Sequence, residues 1–200
     1  TEEYKERYSG SQAERKEKKE KKEEQVKTQK KEIDPVSVFN EKIELRVAKI
    51  LKVEKHPDAE KLYIETLDDG TDTPRIICSG LVPYLKEEDL LNKHCVIAAN
   101  LKPRKMRGVE SNGMLLAADY VDGEGKEGVE ILTCPWAKPG TPVVLESADP
   151  QYKKADSVDA DTFFSAPIAV TNKVVNICGK AFIADNQKVT TTITVNGEVH

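Results

Sequence analysis

The chain is short of aromatic side chains, which make up 6% of its 200 residues with a single Trp, and it has only three histidines. Its four cysteines, Cys78, Cys95, Cys134 and Cys178, lie far apart and form no Cys-x-x-Cys pair. Clustered metal ligands are therefore missing, so no metal site is expected. The cysteines sit in strand-like surroundings (Ile76-Ile77-Cys78, Cys95-Val96-Ile97), which predicts buried, reduced thiols and a cytoplasmic location. No apolar run is long enough to span a bilayer, and no signal-peptide pattern opens the chain, so no membrane partner is expected. A start at Thr1 rather than Met fits a piece of something longer. P-loop, Gly-x-Ser-x-Gly and His-Glu-x-x-His patterns are missing as well. Asp58/Glu60 and Asp68/Asp69 read as turn residues rather than a carboxylate pair. No catalytic residue and no cofactor are expected here, and any catalytic activity of a parent protein would lie upstream of Thr1.

Excess positive charge is also absent. The formal net charge is -4, and such a body should repel nucleic acid as a whole. Residues 1–34 carry 11 Lys/Arg and 10 Asp/Glu with almost nothing to enter a core, which leaves 20 Lys/Arg against 25 Asp/Glu in residues 35–200. The first segment cannot bury enough apolar surface to offset its ordering entropy and reads as a charged flexible linker. Pairs such as Glu14/Lys18 and Glu17/Lys21 sit at helical spacing and could support a solvated helix.

What the chain does have is one dense basic knot. Four of the six residues from Lys102 to Arg107 are basic: Lys102, Arg104, Lys105 and Arg107. Pro103 and Gly108 make this segment read as a loop. Concentrated charge on a loop suits contact with a phosphate backbone, Arg by bidentate pairing and Lys as a point charge. Asn100, Ser111 and Asn112 flank the knot and add neutral donors for ribose hydroxyls.

Around the knot the texture is that of strands. Residues 43–53 alternate, with a slip at Ile50-Leu51 that predicts a bulge. Residues 62–67, 74–79, 94–99 and 113–118 read as four more strands, with a short helix near 87–92 and thinner strands at 129–132 and 143–145. His56-Pro57-Asp58 breaks the first strand as a rigid turn, with the Asp side chain capping its own backbone. Five strands with a helix between the third and fourth fit a small Greek-key barrel of OB type, all-β with minor α. Its binding face lies at the loops after strands 1 and 4, where the His56–Glu60 turn and the basic segment fall. Arg75 and Ser79 on strand 3 either face the binding surface or, in the case of Arg75, pair with a carboxylate across the sheet. Tyr63 is expected to be partly core, Met106 a loop anchor, and Phe163 and Phe164 packing groups of residues 147–200. That last segment is too small for an independent core and is expected to pack on the barrel.

Four phrases carry a family resemblance: Leu45–Ile50 (Leu-Arg-Val-Ala-Lys-Ile), His56–Tyr63 (His-Pro-Asp-Ala-Glu-Lys-Leu-Tyr), Pro74–Val82 and Asn100–Leu115. In that order and spacing the chain resembles the EMAP II-like, tRNA-binding family of OB folds over residues 36–146, and more weakly over 147–200. The resemblance implies a non-catalytic module that binds tRNA by shape and backbone, with Asn100, Lys102, Arg104, Lys105, Arg107, Ser111, Asn112, Arg75 and Ser79 as its contacts. It implies a parent aminoacyl-tRNA synthetase (methionyl first, then tyrosyl or lysyl) and, as partners, a synthetase catalytic domain or a multi-synthetase complex. It divides the chain into a linker (1–34), an OB domain (35–146) and a C-terminal extension (147–200) that imitates a second subunit, making a pseudo-dimeric monomer. Some members, once released, act outside the cell as cytokines. The heptapeptide linked to that activity resembles Arg46, Val47, Ala48, Lys49, Ile50, Leu51 and Lys52, although Ala48 stands where many relatives carry Gly. The extension keeps only Lys153-Lys154 of the family's usual lysine-rich stretch. General binding of single-stranded nucleic acid is the broader alternative for an OB frame.

Overall fold

Alternation and turn chemistry divide the chain into short antiparallel strands. The computed structural model describes residues 34–149 and 154–200, and within these the fold is all-β with minor helices. The linker reading and its helical pairs fall on residues 1–33, outside the described residues, as does Lys153. Helix α1 (Pro35–Lys42) leads into β1 (Leu45–Lys55), then β2 (Tyr63–Asp68) and β3 (Arg75–Ser79). Helix α2 (Glu87–Leu90) follows, then β4 (His94–Ala98), β5 (Arg104–Met106), β6 (Val109–Ser111), β7 (Met114–Leu115), β8 (Ala117–Val121), β9 (Glu127–Ile131) and β10 (Pro142–Leu145). The C-terminal part holds α3 (Ala160–Phe164), β11 (Ala169–Thr171), β12 (Val174–Ile177), β13 (Lys180–Ala184), β14 (Gln187–Lys188) and β15 (Gly197–Glu198).

The long strand β1 is the hub. It pairs antiparallel with β2 along its second half and with β4 and β10 along its first. Its register against β2 shifts between Ile50 and Lys52, so the bulge expected from the Ile50-Leu51 slip is present, and Leu51 is turned out to solvent. β2 continues to β3, and β4 continues to β7. The connectivity and the helix between β3 and β4 follow the order expected of an OB frame, but among the described residues the ladders do not close into a ring. β3 meets the β6–β7 segment through separate bonds: the Asn112 N–H donates to the Ile76 carbonyl at 2.8 Å, and the Cys78 N–H donates to the Ser111 hydroxyl at 2.9 Å.

Two apolar cores lie on opposite faces of the same strands. Leu45 and Val47 of β1, Val96 and Ala98 of β4, and Leu116 and Ala118 feed one core. Ala48 and Ile50, Cys95 and Ile97, and Leu115 and Ala117 feed the other. β4 and the run Met114–Ala118 are apolar at nearly every position because both faces are covered, so simple in–out alternation fails there. The second cover comes from residues 154–200. Strand β13 pairs with β10, and Phe182 of β13 sits edge-on to Phe39 of α1 with ring centroids 5.0 Å apart. Phe163 is buried in the same core, whereas Phe164 is exposed, contrary to its expected packing role.

Three cysteines are buried as expected. Burial pushes the thiols of Cys78 and Cys95 up and that of Cys134 up to about 12. Cys178 is a correction. It is exposed, with φ +51° in the two-residue turn Cys178-Gly179 between β12 and β13. Its apolar neighbours Val174–Ile177 mark the strand, but the turn that ends the strand points the thiol to solvent.

Candidate nucleic-acid interface

The basic segment is not a loop. Residues 104–111 form the β5–β6 hairpin, with Arg104 paired to Ser111, Lys105 to Glu110 and Met106 to Val109. Its two-residue turn is Arg107-Gly108, with φ +52° and +86°. Positive φ at both central residues is the type I′ turn, whose twist matches the flanking strands. Gly108 adopts it freely. Arg107 does so at a cost of roughly 1 kcal/mol, because its Cβ crowds the backbone. Pro103 and Gly108 suggested an irregular loop, but Pro103 lies before the ladder begins and Gly108 completes the turn.

Lys102, Arg104, Lys105 and Arg107 are all exposed, and none makes an ion pair or side-chain hydrogen bond among the described residues. Other basic side chains near the sheet are in use. Arg46 pairs with Glu44 at 2.5 Å, Lys52 with Glu54 at 3.5 Å and Arg75 with Asp69 at 2.9 Å. Lys154 donates to the Phe39 carbonyl and lies 4.8 Å over the Phe39 ring, where burial lowers its pKa. Together with Lys102 just before it, the hairpin therefore presents four exposed cations within six residues. Hydrogen bonds from Thr162 lower the Asp159 pKa, and the Lys102 charge adds to them.

The polar residues beside the hairpin do something else. Asn100 is buried; its amide donates to the carbonyls of Lys42 at 2.7 Å and Ala155 at 2.9 Å, and its side-chain oxygen accepts the Glu44 N–H. Ser111 is buried and bridges the Cys78 N–H to the Gly113 carbonyl. Arg75 donates through Nη1 to the carbonyls of Ala99 at 2.8 Å and Asn112 at 2.7 Å, while its Nε holds Asp69. It thus ties together the two ends of the segment that carries the hairpin. Ser79 is buried and donates to Glu65 inside the sheet. Asn100, Ser111, Arg75 and Ser79, expected as RNA contacts, thus each engage partners within the protein, which fits anchoring of the segment. Asn112 is half-buried, and its side-chain amide makes no hydrogen bond among the described residues. It stays with the four cations as a candidate contact.

One anchor went unread in the sequence. His56 is 5% exposed; its Nδ1 accepts the Asp58 N–H at 3.0 Å, and its Nε2 lies 3.0 Å from the Met106 carbonyl. The imidazole, not the Asp58 carboxylate, caps the turn after β1, which corrects the expected arrangement. Met106 is half-buried, and it is held through its backbone as well as its side chain. The signal was a single His in a Pro-containing turn, which does not reveal a partner 50 residues away. Tyr63 is buried as expected, its hydroxyl donating to the Leu85 carbonyl at 2.6 Å.

The heptapeptide Arg46–Lys52 does not form a continuous surface. It belongs to β1, paired on both edges, with Val47, Ala48 and Ile50 buried and Arg46 held by Glu44 and Asp69.

Buried carboxylates shape the interior. Asp69 accepts from Thr71 and Arg75; burial raises its pKa, but these bonds outweigh burial and hold it below the usual range. Glu130 accepts the backbone N–H groups of Thr192, Ile193 and Thr194 and fixes that segment against β9. Glu65 is fully buried, with one oxygen bonded to Ser79 and the other unpartnered, and burial pushes it up to about 8.

Comparison with known proteins places the hairpin inside a shared domain. The model of the putative tRNA binding domain family matches residues 45–142. Methionine–tRNA ligase of Treponema denticola is 49% identical over 203 aligned residues, covering 90% of this chain and 26% of that ligase. Cytoplasmic tyrosine–tRNA ligase of Xenopus tropicalis is 47% identical over 116 residues, covering 58% of this chain and 21% of the ligase. The chain thus spans about a quarter or less of the length of these relatives. Among solved structures, the C-terminal domain of Plasmodium vivax p43 superposes with a TM-score of 0.74 at 28% identity, covering 80% of this chain and 98% of that one. Through residues 45–142 the chain belongs to the putative tRNA-binding domain family.

Proposed function

We propose that this chain is the non-catalytic tRNA-binding module of an aminoacyl-tRNA ligase, most closely a methionyl enzyme, and that it acts in the cytoplasm beside the catalytic domain of the same protein. The carrying observation is the β5–β6 hairpin with Lys102 before it: four exposed cations within six residues on and beside a two-stranded ribbon, in an acidic body, within the region matched by the family. Each cation that meets a phosphate displaces condensed counterions, so affinity falls with the logarithm of salt. The body's opposite charge acts at longer range, where a Debye length of about 8 Å at physiological salt screens it. Contact is made with phosphates and ribose, Asn112 supplying a neutral donor, so the module raises the local tRNA concentration rather than reading bases in a duplex. Residues 35–146 form the binding part, and residues 147–200 stand in for a second subunit by covering the outer faces of β1 and β4.

The test is charge reversal. Replacing Arg104, Lys105 and Arg107 together by Glu should abolish tRNA retention in a gel shift, while reversal of Lys173, Lys180 and Lys188 leaves it in place. Unchanged affinity in the hairpin variant overturns the proposal.

A further inference from the structure

The two-residue period of a strand gives the hairpin two unlike faces. Arg104 and Met106 lie on one face, with Lys102 in phase just before the ladder, and Lys105 lies on the other. Lys102, Arg104 and Met106 all line one cavity of about 370 Å3. Its apolar wall includes Leu81, Met114, Leu115 and Val129, and it is also lined by Asp119 and His200, which lie against each other with Nε2 2.7 Å from the carboxylate. Tyr84, in the turn after β3, borders this cavity and also a neighbouring one of about 500 Å3. Half of the Tyr84 side chain is open to solvent, at 50% exposure, and its hydroxyl makes no hydrogen bond among the described residues. Tyr63, by contrast, is buried with its hydroxyl bonded. Core packing therefore does not account for Tyr84.

We infer that this cavity receives one unstacked nucleotide of the bound RNA, with its base against Tyr84 and the apolar wall and its phosphate on Lys102 and Arg104. The inference rests on the tRNA-binding reading and gives it a subsite. Charge complementarity selects the occupant: a nucleotide joins a flat π-face to an anion, and the cavity joins an exposed aromatic and an apolar wall to the exposed cations Lys102 and Arg104, while its one carboxylate side chain, Asp119, lies against His200. Stacking of a splayed-out base on an aromatic side chain is the general device for unpaired RNA. The volume lies within the range that holds ligands of this size. The two faces of the hairpin then divide the work, Lys105 and the Arg107 tip tracking the backbone while Lys102 and Arg104 hold one nucleotide in place.

The experiment measures tRNA affinity by fluorescence anisotropy over a salt series, for the full chain and for Tyr84→Ala, Tyr84→Phe, Val129→Trp and the hairpin charge reversal. Tyr84→Ala should weaken binding by about 10- to 100-fold, the range for loss of one stacked base, with the slope against log salt unchanged because no cation is lost. Tyr84→Phe should bind like the parent. Val129→Trp fills the cavity and should weaken binding, and base-edge chemical probing should then lose a one-nucleotide change that the parent induces. Parental affinity in Tyr84→Ala, with binding abolished by the hairpin reversal, overturns the subsite and leaves the tRNA reading standing. Equal weakening by Tyr84→Phe and Tyr84→Ala also overturns stacking. Parental affinity in the hairpin reversal overturns both.

Discussion

His56 Nε2 and the Met106 carbonyl oxygen lie 3.0 Å apart, so the turn after β1 holds the basic hairpin by a hydrogen bond between residues far apart in sequence. Because Nδ1 accepts the Asp58 N–H, the proton sits on Nε2, which donates to Met106. The ring is buried, so water does not replace this bond. Arg75 and Ser111 hold the base of the same segment, and His56 holds it near the tip. Arg104, Lys105 and Arg107 thus sit on a braced ribbon, which lowers the ordering cost of binding.

His56→Ala tests the brace. A buried hydrogen bond contributes roughly 1 kcal/mol, so hairpin positions should lose affinity by about fivefold if binding needs them ordered. The charge of the hairpin is untouched, so the salt slope should stay at the parental value. Hydrogen exchange should show faster amides in residues 104–111. Unchanged exchange there would mean that the ladder alone holds the ribbon.

Arg107→Gly separates stability from binding. The position needs φ +52°, which Gly adopts without the Cβ penalty, so the variant should be more stable by about 1 kcal/mol in chemical denaturation. The same change removes a cation from the tip and should weaken tRNA binding, with a salt slope smaller by about 0.7 to 0.9. A residue kept at a backbone cost where Gly or Asn would fit is expected where the side chain serves a ligand. Gain of both stability and affinity would contradict that.

Much of this frame was legible in the sequence, and the reasons are local. Alternation placed β1, β2 and β3, and the slip at Ile50-Leu51 gave the bulge. The hairpin was hidden because Pro103 and Gly108 signal irregular backbone equally well as a ladder entry and a type I′ turn. The roles of Asn100, Ser111, Arg75 and Ser79 were hidden because composition gives a side chain's chemistry, not its direction. All four are polar and near the basic run, yet all four point inward. Tyr84 drew no attention because a lone Tyr in a turn has no periodicity to mark it.

Glu65 predicts an unusual pH dependence. Its carboxyl is pushed up to about 8 by burial, against an ordinary value of 4.5. Between these values the unfolded chain has lost the proton and the folded chain keeps it. Stability from this group is therefore complete below about pH 4.5 and falls as pH rises toward 8, by at most ~1.4 kcal/mol per unit. Glu65→Gln should flatten the curve and make the protein more stable than the parent at pH 8 by an amount on the order of a few kcal/mol. Urea denaturation at pH 5 and pH 8 reads both effects, and parallel pH curves for the two proteins would exclude Glu65 as their source.

Arg75→Lys distinguishes an anchor from an RNA contact. Lys keeps the charge but cannot hold Asp69, the Ala99 carbonyl and the Asn112 carbonyl with one planar fork. If Arg75 met phosphate, Lys would largely substitute as a point charge and stability would hardly move. As an anchor, it should instead cost about 1–3 kcal/mol, since buried acceptors lose their donors. Asp69 would lose a partner that helps keep its carboxylate ionised, so its pKa should rise toward the usual range. A carboxylate with a depressed pKa contributes stability above its unfolded value and loses it as pH falls, so the variant's deficit should be largest near neutral pH and shrink below pH 4. Binding should weaken with the salt slope preserved, because the hairpin shifts while its cations remain. A smaller slope with parental stability would return Arg75 to the RNA-facing surface.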